Sequence, residues 1–373
     1  MRAPSVLYLV TEPWYFANHR LDHARALMMD GFEVHVATRA GDRWDELAKA
    51  GCRMHDVDLA RGVGGLRGLI REVREVRSLV RGLRPTIVHA VALKPLAIAL
   101  FLIPMHRRPT LILGVNGLGL SAADGGRRLT LIRYVIRSAA KVPRVVLLFQ
   151  TRADQSAIVG DANRGVVIPG VGVDTERFRP GVRPAAPPCV VVYLGRAVKS
   201  KGLPELVRAM NGEIGSPPSV ELHLYCTVDE SSPGALSAKE LADISNCPGI
   251  TVFGSTRTPE VVLAGAHAAI LPSSAGEGVS KFVLEAMASG TPVLLAAQSG
   301  SAEVIESGVT GIVFDSIDVS IRDALEEVSG WSPEHWSEVS VACRAAAERS
   351  FALDVILPQI VNLHRRAAEG TTG

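Results

Sequence analysis

The sequence predicts an α/β protein made of two doubly wound, Rossmann-like domains. Short apolar, β-branched runs alternate with amphipathic helical stretches from end to end, the pattern of parallel α/β layers. That alternation breaks once, at Pro180–Pro188 (Pro-Gly-Val-Arg-Pro-Ala-Ala-Pro-Pro), where the proline density supports an extended connector and no regular element. A length of 373 residues also suits two cores better than one. The expected division is 1–180 and 181–351, with the two domains facing a cleft and a C-terminal helix over 352–368 packing back on the first domain.

In the first half, Ser5–Val10 reads as a strand and Leu21–Asp30 as a helix, ended by Gly31 at the position past a helix that favours glycine. Glu33–Ala37 is the next strand. Over Arg67–Leu83 the apolar residues Leu69, Ile70, Val73, Val76, Leu79, Val80 and Leu83 recur three and four apart, which predicts an amphipathic helix. Thr86–Ala90, Thr110–Val115 and Arg144–Phe149 are further strands. Beyond the prolines, the strands are Val190–Leu194, Val220–Tyr225, Ile250–Phe253, Ala268–Leu271 and Pro292–Ala296. Helices Leu203–Met210, Ala238–Ile244, Pro259–Ala264, Lys281–Ser289 and Ala302–Ser307 lie among them, and Ile321–Val328, Pro333–Arg349 and Leu353–Ala367 close the chain.

Composition narrows the classes. A hydrophobic content of 47% with 21% charged residues is that of an ordinary globular protein. The five cysteines are scattered and form no C-x-x-C pair, which fits a reducing cytosol and argues against a zinc ribbon or a disulfide framework. No basic start followed by a long apolar stretch signals a cleaved leader. The longest apolar runs, Leu93–Met105 and Val142–Phe149, are too short to span a bilayer. The expected location is cytoplasmic, with peripheral contact at most on the inner face of the membrane. A net charge of +2 hides an uneven distribution: residues 61–84 hold seven arginines against two acids, and residues 124–144 hold six basic groups against Asp124 alone. A solvated helix face accounts for such runs; arginines beside apolar side chains also suit a surface resting on anionic lipid. A nucleic-acid partner is disfavoured, because net charge is near zero and the arginine runs lack interleaved aromatics. No G-x-G-x-x-G follows the first strand, which argues against an NAD enzyme.

Three loops in the second half follow strand ends, where ligand loops of open α/β sheets sit. In Gly195-Arg196-Ala197-Val198-Lys199-Ser200-Lys201-Gly202, glycine permits close backbone approach. Arg196 can grip a phosphate bidentately, and Lys201 acts as a point charge. Gly202 opens a helix whose amides favour an anion. In Gly276-Glu277-Gly278-Val279-Ser280-Lys281 the acid is flanked by glycines, and Glu285 follows eight positions later inside an apolar helix. A carboxylate there is costly without donors, and vicinal ribose hydroxyls are good donors. At Gly254-Ser255-Thr256, backbone groups can read a nucleobase edge. A basic surface loop, a capping Glu277 and a solvent-facing Glu285 are the plain alternatives.

Together these motifs resemble the retaining GT-B glycosyltransferases of family 4, over nearly the whole chain. Glu277-x7-Glu285 running into Ala-Met-Ala-Ser-Gly-Thr-Pro-Val is the most specific piece, followed by Gly195-Arg196 with Lys201-Gly202 and by Pro169–Phe178. The resemblance implies that Arg196 and Lys201 hold the donor diphosphate, that Glu285 binds ribose hydroxyls, and that Glu277 and its loop face the transferred sugar. It implies no metal or other cofactor, a nucleotide-diphosphate sugar donor (UDP with a hexose or N-acetylhexosamine), and a glycan or polyprenyl-diphosphate-linked acceptor. Trp14-Tyr15-Phe16-Ala17-Asn18-His19-Arg20, His89 through Lys94-Pro95, and Asn116-Gly117 resemble the subgroup that builds bacterial surface polysaccharides and lipid-linked oligosaccharides. Asn18, Asn116 and Gly117 then belong to the acceptor side, and His89, His19 and Lys94 are catalytic candidates beside Glu277. Many relatives carry a second histidine two residues after His89; this chain has Val91, so either Lys94 or His19 covers its role or the role is absent. Ser280 stands where a proline is usual. His19 and His89 also read as ordinary polar residues at strand ends. Two other readings stay open: a UDP-sugar 2-epimerase, disfavoured by the Glu-x7-Glu pattern, and a non-catalytic sugar-nucleotide-binding protein.

Overall fold

A computed structural model describes residues 3–59, 65–106, 108–115, 117, 127–160, 164–211, 219–228, 234–273, 278–315 and 318–370. It divides into two compact units: the first holds most of residues 1–171 together with 356–373, and the second holds 172–355.

In chain order the first unit contains β1 (Ser5–Leu9), α1 (Pro13–His19), α2 (Leu21–Met29), β2 (Glu33–Thr38), α3 (Trp44–Lys49), β3 (Arg53–Asp56), α4 (Gly65–Leu83) and β4 (Ile87–Val91). Then come α5 (Leu93–Leu100), β5 (Thr110–Val115), α6 (Arg127–Ala139), β6 (Val145–Phe149), α7 (Arg152–Val159) and β7 (Val166–Val167). All strand pairs are parallel, in the order β3-β2-β1-β4-β5-β6-β7. β1, β4 and β5 are buried along their whole length, as strands covered on both faces must be. One face carries α4 to α7, with Val76, Leu96, Ile136 and Ile158 in the core. The other carries α1, α2, α3 and the final helix α14 (Leu353–Glu369), which inserts Ile356, Ile360 and Leu363.

The second unit contains β8 (Cys189–Arg196), α8 (Leu203–Met210), β9 (Val220–Thr227), α9 (Ala238–Ser245), β10 (Ile250–Phe253), α10 (Pro259–Ala264) and β11 (Ala268–Leu271). It continues with α11 (Lys281–Ala288), β12 (Val293–Ala296), β13 (Gly311–Phe314), α12 (Asp318–Ser329) and α13 (Pro333–Ser350). Its six parallel strands run β10-β9-β8-β11-β12-β13.

Three readings of the sequence need correcting. Ala302–Ser307 is no α-helix; a single 3-10 turn covers Gly300–Val304 instead, with Ser299 capping it through the Ser301 amide. The strand read from Arg144 starts at Val145, because Arg144 holds a left-handed φ of 59°. The proline-rich segment has no regular element but is not a free connector. Arg183 donates to the Ala266 and Gly290 carbonyls, and Pro184 accepts from the His267 ring, so it lies bonded along the second unit. Helices α1, α3, α5, α6 and α7 went unread, being short or rich in charge.

The first unit buries a polar cluster where α14 meets the sheet. His364 donates from Nδ1 to the Ile360 carbonyl at 2.7 Å, which leaves its Nε2 to accept from His89 Nδ1 at 3.1 Å. Tyr8 stacks on His89 with centroids 4.8 Å apart. His23 donates from Nε2 to the Val171 carbonyl at 2.9 Å and faces Arg20 through Nδ1 at 3.4 Å. All of these side chains are fully buried. His89, a catalytic candidate in the sequence, sits inside the core bonded to the His364 ring of α14, and the neighbouring Val91 is buried with it.

Burial, reinforced by the Arg20 charge, pushes His23 down to about 3 and His364 down to about 4, and holds His89 well below its ordinary value. The sign follows directly. Below the ordinary histidine value of 6.5 the unfolded chain takes up protons that the folded unit refuses, so stability falls as pH drops. Each of the three histidines costs up to about 1.4 kcal/mol per pH unit in that window. Calorimetric scans should show Tm flat above pH 7 and declining already between about pH 6.5 and 5, above the range where carboxylates titrate. A flat Tm across that interval would contradict the neutral, buried assignment.

Candidate active site

In the second unit the chain leaves β8 toward β9 on one side and returns to β11 on the other. Such a reversal opens a crevice beyond the two strand C-termini, the natural ligand position of a doubly wound sheet. The two loops that line it, after β8 and after β11, are the ones the sequence singled out.

β8 ends in Gly195-Arg196. Tyr193, fully buried, donates from its hydroxyl to the Arg196 carbonyl at 2.9 Å. A Cβ on Gly195 would stand 2.9 Å from that hydroxyl, so glycine is needed at this position. The loop is then tied down by main-chain bonds, Ala197 N to Thr227 O (3.1 Å), Leu236 N to Ala197 O (2.8 Å) and Lys199 N to Gly234 O (2.8 Å). Lys199 also pairs with Glu240 at 3.0 Å, where the Ser237 cap of α9 and the lysine together hold the Glu240 carboxyl down to about 2. One 3-10 turn, Lys199–Lys201, carries the chain to Gly202, whose φ of 76° is left-handed.

Gly202 lies hard against the second loop. A Cβ there would fall 2.0 Å from the Pro272 carbonyl oxygen. Ser273, completely buried, adds a hydrogen bond from its hydroxyl to the Ser200 carbonyl at 3.2 Å. The two loops are thus joined into one rim at Gly202–Pro272 and Ser200–Ser273.

The helix starts at this rim differ in electrostatics. α8, which the sequence offered as the anion-binding end, already carries Glu205 in its first turn. α11 has no acid in its first turn and no side-chain cap at Ser280. A helix start with neither an acid in its first turn nor a side-chain cap is the arrangement that suits a phosphate. Gly278 and Val279 are buried behind it, and the Ser280 amide donates to Ser301 Oγ at 2.8 Å. Ser301 and Ser273 went unnoticed in the sequence. The misread 3-10 turn hid the first, and a lone serine after a strand carries no signal for the second.

Glu285 lies one turn along α11 with its side chain 15% exposed, 3.6 Å from Lys281 Nζ. Burial raises its pKa; Lys281, then Arg177, oppose that rise. Arg177 itself is gripped by Glu260 of α10 at 2.8 Å. Glu277 lies outside the described residues, as does Asn116. Gly254, Ser255 and Thr256 follow β10, two strands away from β8, about 10 Å along the sheet edge. There Phe253, partly exposed, stacks on Tyr225 at 4.7 Å and 10° beside Gly254.

The first unit has its own reversal between β1 and β4. α1 follows β1 and bears Asn18, exposed and bonded by Arg43, and His19, whose ring lies 4.5 Å from that of Tyr15. α5 follows β4 through Ala92, whose φ of 76° and ψ of 167° are close to a glycine-only region. Lys94 then donates to the buried Glu72 at 2.8 Å. Gly117, past β5, takes a left-handed φ of 60°. Among the described residues no cluster of three or more His, Cys, Asp or Glu side chains could hold a metal ion.

Two parallel doubly wound units, one with a cationic rim at its strand reversal, define a two-domain α/β protein of the kind that holds phosphorylated ligands at strand ends. The family follows from direct comparison. Residues 17–170 match the family described as glycosyl transferase 4-like domain, and residues 188–328 match glycosyl transferases group 1. The chain belongs to these glycosyltransferases by both of its units. It is similar to D-inositol 3-phosphate glycosyltransferase of Corynebacterium aurimucosum, 26% identical over 254 residues, 63% of this chain and 60% of the relative. The chain thus spans about 60% of the length of the curated relatives it matches. Among solved structures it shares its fold with sucrose-phosphate synthase of Thermosynechococcus elongatus (TM-score 0.79, 17% identity, 97% of this chain and 98% of that one). It shares it too with Anabaena Alr3699/HepE, crystallised in complex with UDP and glucose (TM-score 0.75, 18% identity, 96% and 99%).

The rim makes a sharp prediction. Gly202→Ala combines a left-handed alanine, about 1–2 kcal/mol, with overlap onto the Pro272 carbonyl. Thermal unfolding should show the second unit losing at least that much, whereas Gly254→Ala, with open space around it, leaves stability within about 0.5 kcal/mol of wild type.

Proposed function

We propose that this protein is a retaining glycosyltransferase that moves a hexose or N-acetylhexosamine from a nucleotide-diphosphate sugar, UDP by preference, to a glycan or polyprenyl-diphosphate-linked acceptor in polysaccharide or glycoconjugate synthesis. The observation that supports the reading is the joined rim, whose first loop carries Arg196 and Lys201 and whose second leads to the start of α11, which has no side-chain cap. As the sugar–phosphate bond breaks, charge grows on the leaving diphosphate. Cations and amides fixed beforehand stabilise that charge more than they stabilise the intact donor. Glu285 is the partner for ribose hydroxyls, since a buried carboxylate of raised pKa gains from donors. The Phe253–Tyr225 pair beside Gly254 offers a flat apolar shelf toward the base. Glu277 faces the transferred sugar on the strength of its place in the motif. In the first unit His19 and Lys94 remain the catalytic candidates, and His89 drops out. The site as proposed needs no metal, its charge being supplied by side chains and helix amides. A cytoplasmic location with peripheral contact at the inner membrane face completes the reading. Complexes of HepE with UDP-glucose and with UDP favour the donor class.

A thermal-shift screen tests the donor, because a ligand that binds only the folded form raises Tm. UDP and a UDP-sugar should stabilise the second unit; no shift with any nucleoside diphosphate would remove the reading. With donor saturating, Arg196→Ala and Lys201→Ala should each cut kcat by about 100-fold or more at unchanged Tm. Unchanged turnover in either variant would take that side chain out of the site. Retention is read from the anomeric configuration of the first product by NMR. Conversion of a UDP-sugar without any acceptor would instead indicate an epimerase.

A further inference from the structure

We propose that the helix layer α4-α5-α6 of the first unit is a seat for an anionic lipid bilayer, with α5 as its apolar ridge and the two neighbouring helices as its cationic flanks. The three helices follow β3, β4 and β5 in order and cover one face of the sheet through a shared core. Their outer surfaces differ sharply. α5 and the turns after it present Leu93, 45% exposed, and Phe101, 47% exposed, with Ala97, Leu100 and Pro104 on the same side. Leu93, Ala97 and Leu100 lie along one face of α5, and Phe101 and Pro104 follow in the turns beyond its end. The only charged side chain of α5 is Lys94, which turns toward Glu72 of α4. This is the Leu93–Met105 stretch, and no described helix is long and apolar enough to cross a membrane. It is shaped to lie in a bilayer surface instead.

The flanks supply the charge. α4 exposes Arg67, Arg74 and Arg81, while Arg71 is matched by Asp58 and Glu75. α6 and the turn after it expose Arg137 and Lys141 beside Tyr134, which is 69% exposed, and Val135. The opposite layer contrasts with this: α3 exposes Asp45 and Glu46 along with Lys49, and α14 exposes Asp354 and Glu369 along with Arg365 and Arg366. Among the described residues, the α4-α5-α6 layer combines several exposed apolar side chains with a net positive flank, whereas the opposite layer exposes one large apolar side chain, Met29, among mixed charges. An apolar ridge between cationic rows matches acyl chains between anionic headgroups. A protein partner would have to present the same alternation of acid and apolar rows. The bilayer does so everywhere, so we commit to it.

Flotation of the full chain with vesicles tests the seat, and its readout does not depend on sugar transfer. Vesicles of equal parts phosphatidylglycerol and phosphatidylcholine should carry the protein up the gradient at low salt. Pure phosphatidylcholine should not, and salt of about 0.5 M should release it, the Debye length being then only a few ångströms. Arg74→Glu with Arg81→Glu should lower partitioning about tenfold or more. Phe101→Ser with Tyr134→Ser should lower it several-fold at low salt and leave the protein with Tm and nucleotide-induced thermal shift of wild type. Wild-type protein that stays at the bottom of the gradient at low salt overturns the proposal. So does binding that is indifferent to both double substitutions. A change in sedimentation of Phe101→Ser with Tyr134→Ser, without a change in flotation, would assign the face to a second copy of the chain and overturn it equally.

Discussion

Pro272 and Gly202 approach so closely that no side chain fits between them, and the chemistry of the second unit rests on that approach. The loop after β8 brings the cations, and the loop after β11 leads to the uncapped helix. Joined through the missing Cβ of Gly202 and the Ser273–Ser200 bond, they form a rim whose charges, in the proposed donor site, need little rearrangement to meet a phosphate. Preorganisation of this kind is where electrostatic catalysis gains most, because no solvent or loop has to move as charge develops. The cost is a left-handed residue at the mouth of α8, which only glycine bears cheaply.

Burial of charge is managed differently in the two units. In the second, Glu285 keeps a lysine within 3.6 Å and an edge toward solvent. In the first, Arg20 is fully buried with only a histidine nitrogen near it, and its Nε has no partner. The histidines around it respond by staying neutral: His23 and His364 each donate from one ring nitrogen and accept at the other, while His89 donates from Nδ1 and its buried Nε2 has no partner among the described residues. The bonds between them fit only one choice of tautomers, which makes the cluster a specific lock for α14 as well as a polar one.

Much of the fold was legible in the sequence because a fully buried parallel strand leaves an apolar run and an amphipathic helix leaves a period. β1, β4, β8 and β11 and helices α4, α8 and α11 all carry such signals. The short helices α1 and α3 do not, as six or seven residues cannot establish a period. The cationic loop and the Glu285 helix were legible because glycine and charge are both rare at strand ends. What escaped was what folding alone brings together. His89 and His364 are 275 residues apart, so His89 looked like a strand-end site residue until its partner arrived from the C-terminus. Ser301 braces Ser280 from a turn whose composition resembles a helix, and Glu72 is one of two acids among arginines, distinguishable from Glu75 only by burial.

The last helix completes the sheet layer of the first unit with Ile356, Ile360 and Leu363, yet it is separated from that layer by all of the second unit. On the ribosome, the opening half must therefore wait, with the part of one sheet face that α14 covers left bare, while some two hundred further residues are made. A chaperone that shields exposed strands has a natural window there. Any domain-by-domain account of biogenesis must treat the first half as the last to be finished.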